Sequence, residues 1–292
     1  MALNIETLKT RALTAVIFVV VMLFGLLYNY WSFFILFSII HFGCWIEFQK
    51  LIGLIDKEYS NISIFHKYAV MLGGFGFMMC NVHPNMQPLN LPISEIGKWI
   101  VVLVAVVFPL KEIVFSKKNN VRVVAISFLG LAYISLSWGL MIELNNLCPL
   151  LKTSENPMAQ NPFSVPIILI TSIWINDTMA YIVGSLIGKT PLTKISPKKT
   201  WEGTIGGAIL AIIVVSSVYH FLIDKNNLFI VISITTIAAI IGTFGDLLES
   251  KLKRFANVKD SGSFMPGHGG FLDRFDSLIL ATPFVWLFLW LF

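Results

Sequence analysis

Residues 204 to 223 read TIGGAILAIIVVSSVYHFLI, a run with no Asp, Glu, Lys or Arg. As a helix rising about 1.5 Å per residue, such a run is about 30 Å long, the depth of a bilayer's hydrocarbon core. It is one of nine apolar runs. The others fall near residues 12–28, 31–46, 68–82, 99–115, 121–142, 165–188, 228–245 and 278–292. The third, fourth and ninth runs are short of the roughly 20 residues a span requires, and Lys111 with Glu112 falls inside the fourth. Of 292 residues, 56% are hydrophobic and only 13% charged, and the mean hydropathy is +0.79. No water-soluble domain of this size has that balance. The expected fold is an all-α polytopic integral membrane protein of about nine transmembrane helices.

The basic residues orient it, because Lys and Arg are retained on the cytoplasmic side. With the N-terminus inside and nine spans, only Lys98, Lys152 and Lys225 fall outside; the other 18 of the 21 Lys and Arg fall inside. The C-terminus is then external. Removing the third and fourth spans together would leave the same parity. Lys9 and Arg11 precede the first run as they would in a signal sequence. However, Tyr28-Asn29-Tyr30-Trp31 offers no small-residue cleavage site, so the run reads as a retained helix.

The net charge of +5 could point to nucleic acid, but the cations are dispersed over loops between spans. Anionic lipid and topology account for them, and no nucleic-acid partner is expected. Cys44, Cys80 and Cys148 have no metal-binding spacing, and Cys80 and Cys148 both fall near the outer face. Residues 143–164, with Pro149, Pro157 and Pro162, read as an outer loop. Residues 189–203 and 246–277 differ. They are cytoplasmic, rich in Gly, Lys, Ser and carboxylates, and they flank acidic residues in or at the ends of apolar runs. The chain divides into residues 1–164, with about five spans, and residues 165–292, which carry both loops.

Within the second part, Asp177 sits inside an apolar run, where an ionised side chain costs about 2.5–3.5 kcal/mol even on insertion scales. On a helix Asp177, Tyr181, Gly184 and Gly188 share a face. The glycines read as a packing seam, and Asp177 either touches the site or supports it. Gly188-Lys189-Thr190 resembles the end of a phosphate-binding P-loop, but Val183 stands where that pattern needs its first Gly, which excludes it. Ser196-Pro197-Lys198-Lys199-Thr200-Trp201-Glu202-Gly203 reads as an interfacial basic cap or as a phosphate-holding loop. If the eighth run's helix continues, Asp246, Glu249, Ser250, Lys253 and Arg254 form one stripe. Beyond them stand Lys259 and a Gly-rich turn around His268, and Asp273 and Asp276 share a face if their turn is helical.

These residues carry a resemblance. The run Ser250 to Asp276, Ser-x-Leu-Lys-Arg-x4-Lys-Asp-x-Gly-x2-Met-Pro-Gly-His-Gly-Gly-Phe-x-Asp-Arg-Phe-Asp, resembles the signature of the phosphatidate cytidylyltransferases, the CDP-diacylglycerol synthases. Asn176-Asp177-Thr178-x-Ala180-Tyr181 and residues 196–203 are similar to that family too. The likeness covers about residues 165–277, and the N-terminal half matches only as apolar spans. Met265 replaces the usual Ile, Leu or Phe, a conservative change. Without a long N-terminal extension, the chain resembles bacterial members.

The resemblance implies an enzyme of phospholipid biosynthesis in the inner (cytoplasmic) membrane, its active site facing the cytoplasm. CTP and phosphatidate are the implied substrates, CDP-diacylglycerol and pyrophosphate the products. It also implies a divalent cation, Mg2+ or another, held by Asp246 and Asp273 with Asp276 adding to the shell. Lys253 and Lys259 are candidate catalytic cations. Ser250, Arg254, His268, Lys198, Lys199, Asp177 and Arg274 are candidate substrate contacts, and His268 equally could fix its loop. The oligomeric state is open, a homodimer among the options. A transporter would distribute polar residues through both membrane halves, whereas here they collect on one face in the C-terminal half. A CDP-alcohol phosphatidyltransferase needs a DGxxAR-type cluster, which is absent. A lipid-alcohol kinase would use the same residue types.

Overall fold

In a computed structural model of the chain, residues 5–115, 121–145, 147, 164–223, 225, 227–264 and 269–292 are described. Ten helices follow in order: α1 (Ile5–Leu27), α2 (Tyr30–Ile55), α3 (Lys57–Ser60), α4 (Ile64–Cys80), α5 (Ile93–Phe115), α6 (Val121–Leu144), α7 (Ser164–Ile187), α8 (Trp201–Leu222), α9 (Leu228–Phe255) and α10 (Phe271–Leu291). Among the described residues no strand forms; Pro191 and Thr200 make an isolated bridge. This is what lipid requires, since a helix satisfies its own backbone groups where no water can.

Among the described residues, seven helices are long and apolar enough to cross a membrane: α2, α5 over Ile93–Glu112, and α6 to α10. That is two fewer than the nine runs read from the sequence. The fourth and ninth runs gain length because their helices take in polar residues that hydropathy leaves out. Ser94, Glu95 and Lys98 lie in α5, and Asp273, Arg274 and Asp276 lie in α10. The apolar part of α1, Leu13–Leu27, and α4 stay shorter.

Local chemistry sets the helix starts. Asn29 and Ser32 form a reciprocal capping box at α2, with Asn29 N donating to Ser32 Oγ at 3.0 Å and Ser32 N to Asn29 Oδ1 at 2.8 Å. Ser63 Oγ caps α4 by accepting from His66 N at 3.1 Å, and Thr200 Oγ1 caps α8 by accepting from Gly203 N at 3.2 Å.

The chain forms two compact units. The first comprises residues 1–143 and 255–274, the second residues 144–254 and 275–292. In the first unit α4 runs antiparallel to α2 along its length. The Tyr30 and His83 rings stack at one end with centroids 4.4 Å apart, and Gln49 Nε2 donates to Lys67 O at 3.1 Å toward the other. Between them lies a buried polar node, where Ser135 Oγ accepts from Trp45 Nε1 at 2.9 Å and bonds His41 Nε2 at 3.0 Å. Ser135 closes a π-helical turn, Leu131–Ser135, within α6. At the end of α2, Asp56 caps α3 and pairs with Arg122 Nε at 2.9 Å.

In the second unit α7 and α8 approach backbone to backbone. A Cβ on Gly207 would stand 2.7 Å from Ala180 Cα, and one on Gly203 would stand 2.9 Å from Gly184 Cα. The glycines are thus the packing seam the sequence indicates. A buried 3.0 Å hydrogen bond joins Ser172 Oγ on α7 to Thr235 Oγ1 on α9. Cys44 and Cys80 are free thiols, and Cys148 lies outside the described residues.

Candidate functional site

Loop 188–203 of the second unit is folded rather than splayed. Leu192 N donates to Lys199 O at 2.7 Å, Trp201 N to Thr190 O at 2.9 Å and Lys199 N to Ser196 O at 3.1 Å. Glu202, in the first turn of α8, accepts from Lys189 N at 3.2 Å and Thr190 N at 3.1 Å. Amides that a P-loop would offer to phosphate are spent on a carboxylate, in keeping with its exclusion. The fold of the loop brings Lys199 into an ion pair with Asp246 on α9.

Asp246 leads into an acidic and basic stripe. Helix α9 does continue to Phe255, so Asp246, Glu249, Ser250, Lys253 and Arg254 lie on consecutive turns. Asp276, buried on α10, lies within electrostatic reach of Asp246 and Glu249. Glu249 is completely buried and ion-paired with Lys253. Gly245 permits the carboxylates to approach, whereas Gly242 has room to spare. A Cβ on Gly245 would stand 2.5 Å from Asp276 O and 3.0 Å from Ser277 Cα, and one on Gly242 would reach Ser277 Cβ at 3.4 Å. Lys198 and Arg254 are exposed, and Ser250 is half-buried.

The first unit holds the other part of the signature. Asp273 lies in the first turn of α10, so the turn bearing Asp273 and Asp276 is helical and the two are one turn apart. Asp273 Oδ2 accepts from Ser261 N at 2.8 Å, Gly270 N at 2.8 Å and Ser261 Oγ at 3.0 Å. Gly269 adopts φ +84, where a side chain would be strained, and its Cβ would also meet Asp273 Oδ2 at 2.6 Å. Lys259 and Arg274 are exposed. Met265 to His268 lie outside the described residues, and the assignment of His268 with them. Asp177 and Tyr181 are exposed on α7, while Gly184 and Gly188 pack on Thr200.

Sequence reasoning misses two participants. Glu47, buried at the end of the second apolar run, accepts from Phe271 N at 2.9 Å, Leu272 N at 2.9 Å and Ser261 Oγ at 2.7 Å. Its signal was a carboxylate bordering a membrane span, the same signal that marked Asp177. Ser261 gave no signal of its own, being a polar residue in a polar segment.

Among the described residues no three His, Cys, Asp or Glu side chains converge as ligands of one ion. The donor set nevertheless suits Mg2+, which takes one or two carboxylates and completes its shell with water and phosphate oxygens. Asp246 and Asp276, two carboxylates within electrostatic reach of each other, repel unless a proton or a cation lies between them.

A sequence model of the cytidylyltransferase family matches residues 9–292. The chain is 50% identical over 113 residues to a phosphatidate cytidylyltransferase of Staphylococcus haemolyticus, covering 38% of this chain and 43% of that protein. It is 46% identical over 119 residues to one from Haemophilus influenzae, covering 38% of this chain and 41% of that protein. It is also 46% identical over 113 residues to phosphatidate cytidylyltransferase 4, chloroplastic, of Arabidopsis thaliana, covering 39% and 29%. These matches span less than half the length of the curated relatives.

Proposed function

The chain belongs to the cytidylyltransferase family, and from that premise we propose that it transfers the cytidylyl group of CTP to phosphatidate, giving CDP-diacylglycerol and pyrophosphate. The observation that carries the reading is the Ser250 to Asp276 signature. Within it Asp273 is held by Ser261 and Gly270, and Asp246, four residues before the signature, is held by Lys199.

A phosphate oxygen of phosphatidate forms the new bond to the α-phosphorus of CTP as the bond to the bridging oxygen of pyrophosphate breaks. The second pKa of a phosphate monoester lies near 6, so the nucleophile is ionised at neutral pH and needs no strong base. The protein's task is to bring polyanions together and to hold the leaving group. Lys199 and Lys253 are cations already aligned by Asp246 and Glu249, which restrains them for phosphate contact. Ser250, Arg254, Lys198, Lys259, His268 and Arg274 are the remaining proposed contacts to CTP phosphates and the lipid head group, with Asp177 on α7. Asp246, Asp273 and Asp276 are the proposed holders of Mg2+ or another divalent cation, which would screen the repulsion between the two anionic substrates.

The proposed topology keeps nine crossings, N-terminus cytoplasmic and C-terminus external, in the cytoplasmic membrane. Contacts within each unit support it, because they join ends that the charge rule puts on one face. Tyr30 meets His83 on the outer side, and Glu47 meets Ser261 on the inner side. Lys199 meets Asp246 inside, and Phe229 meets Phe292 outside. The antiparallel course of α4 along α2 supports a crossing by α4 despite its length.

Two measurements follow. Purified protein in detergent, given CTP, phosphatidate and Mg2+, is expected to release pyrophosphate and form CDP-diacylglycerol; phosphatidate formed from diacylglycerol and a nucleotide, without CDP-lipid, would make it a kinase. In sealed cells, with the native cysteines replaced, an impermeant thiol reagent is expected to label a cysteine at position 292 and miss one at position 263, which is exposed in the 261–264 segment. Labelling of position 263 from outside would reverse the orientation and remove the cytosolic CTP argument.

A further inference from the structure

We propose that Glu47 is a positioning residue: from α2 it clasps the first turn of α10 and, through Ser261, fixes the carboxylate of Asp273. The first amides of a helix have no partner within the helix, and the helix dipole favours an anion beside them. Usually a neighbouring residue serves. At α10 the anion comes from far away in the chain: Phe271 N donates to Glu47 Oε1 at 2.9 Å and Leu272 N to Glu47 Oε2 at 2.9 Å.

The surroundings are shaped around this carboxylate. Gly43 and Glu47 are four residues apart on α2 and therefore share a face. A Cβ on Gly43 would run into the Phe271 ring, so Gly43 seats the ring while Glu47 takes the amide of the same residue. Gly262 and Gly270 leave room on the other side, where a Cβ on either would meet the Glu47 carboxylate. The residue is 7% exposed, a burial that a carboxylate tolerates only with its hydrogen bonds made.

Ser261 passes the restraint on. Its hydroxyl lies 2.7 Å from Glu47 Oε2 and 3.0 Å from Asp273 Oδ2, and its amide donates to Asp273 Oδ2 at 2.8 Å. One hydroxyl thus joins a buried carboxylate of α2 to the carboxylate proposed to hold the cation. That last role rests on the function proposed above; the clasp does not.

The test separates the two. Hydrogen exchange of peptides covering residues 269–275, in detergent without metal or nucleotide, is expected to show Phe271 and Leu272 protected in the wild type. In Glu47→Gln at least one of those amides should exchange about tenfold faster. In the reaction, Glu47→Gln should raise the half-saturating Mg2+ concentration about tenfold, as loss of an outer-shell partner does, with KM for CTP at saturating Mg2+ unchanged. Ser261→Ala should raise it less, and the double variant should match Glu47→Gln. Unchanged exchange would overturn the clasp whatever the protein's activity. Faster exchange with an unchanged Mg2+ requirement would make Glu47 a scaffold residue and overturn the positioning role. If Glu47→Gln does not accumulate, Ser261→Ala decides, because a Mg2+ requirement equal to wild type would break the link to Asp273.

Discussion

Asp246→Asn and Asp273→Asn are each expected to lower turnover by about a hundredfold or more while leaving the protein folded in the membrane. Each amide keeps the shape of the side chain and removes the charge that would hold Mg2+ against the CTP phosphates. The structure adds a reason to expect Asp246→Asn to be the more disruptive. It leaves Lys199 without its carboxylate and Asp276 beside an amide instead of a second acid. Asp273 keeps its amide donors in either form, since the asparagine oxygen can still accept from Ser261 N and Gly270 N. If the two carboxylates serve one ion, the double variant should be barely worse than either single one. The measurement is initial rate against Mg2+ concentration for wild type, both singles and the double. A single variant with near-normal rate at low Mg2+ would sink the shared ion, and fully multiplicative losses would make the carboxylates independent.

Gly245→Ala is expected to damage activity more than its conservative chemistry suggests. Its Cβ would face Asp276 O at 2.5 Å and Ser277 Cα at 3.0 Å, both backbone and neither able to swing aside. Overpacking of this kind costs about 1–3 kcal/mol, so thermal unfolding in detergent should move to lower temperature. The rate, measured well below that transition, should fall further than the unfolded fraction explains. Asp246 follows the substituted residue directly, and Asp276 is the residue pushed. Gly242→Ala, one turn earlier, is the control. Its Cβ would meet Ser277 Cβ at 3.4 Å, an ordinary contact, and its rate and melting should stay near wild type. A Gly245→Ala protein whose loss of rate merely tracks its loss of stability would remove the link between this glycine and the carboxylate pair.

The acidic and basic stripe on α9 was legible because helical periodicity is local: residues four apart share a face wherever the helix lies. The same rule anticipated Asp273 and Asp276 one turn apart on α10, and the Gly184 and Gly188 seam. For Asp177 it fixes only the helix face, since periodicity relates positions on one helix and carries no information about which side another helix covers. Tyr181, on the same turn sequence, is exposed with it. The fourth and ninth runs form spans longer than hydropathy drew them, and the reason is again local. Hydropathy stops at the first charged residues, whereas hydrogen bonding carries the helix through Glu95 and Lys98 in α5 and through Asp273 and Arg274 in α10.

The amino-acid sequence by itself determined that this chain is helical and lives in lipid, because apolar length and the cost of unpaired backbone in a bilayer leave no other solution. It also singled out the Ser250 to Asp276 run, long and particular in its residue types, as the segment proposed to carry the chemistry. The partners were decided only by tertiary structure. Lys199 on Asp246, Asp276 beside Asp246 and Lys253 on Glu249 depend on loops and helix ends meeting in space. Glu47 on Ser261, Phe271 and Leu272 joins residues more than 200 positions apart, a contact no spacing rule records. Short-range order follows from the chain's own geometry, whereas a buried carboxylate's partner is chosen by whichever donors packing brings to it.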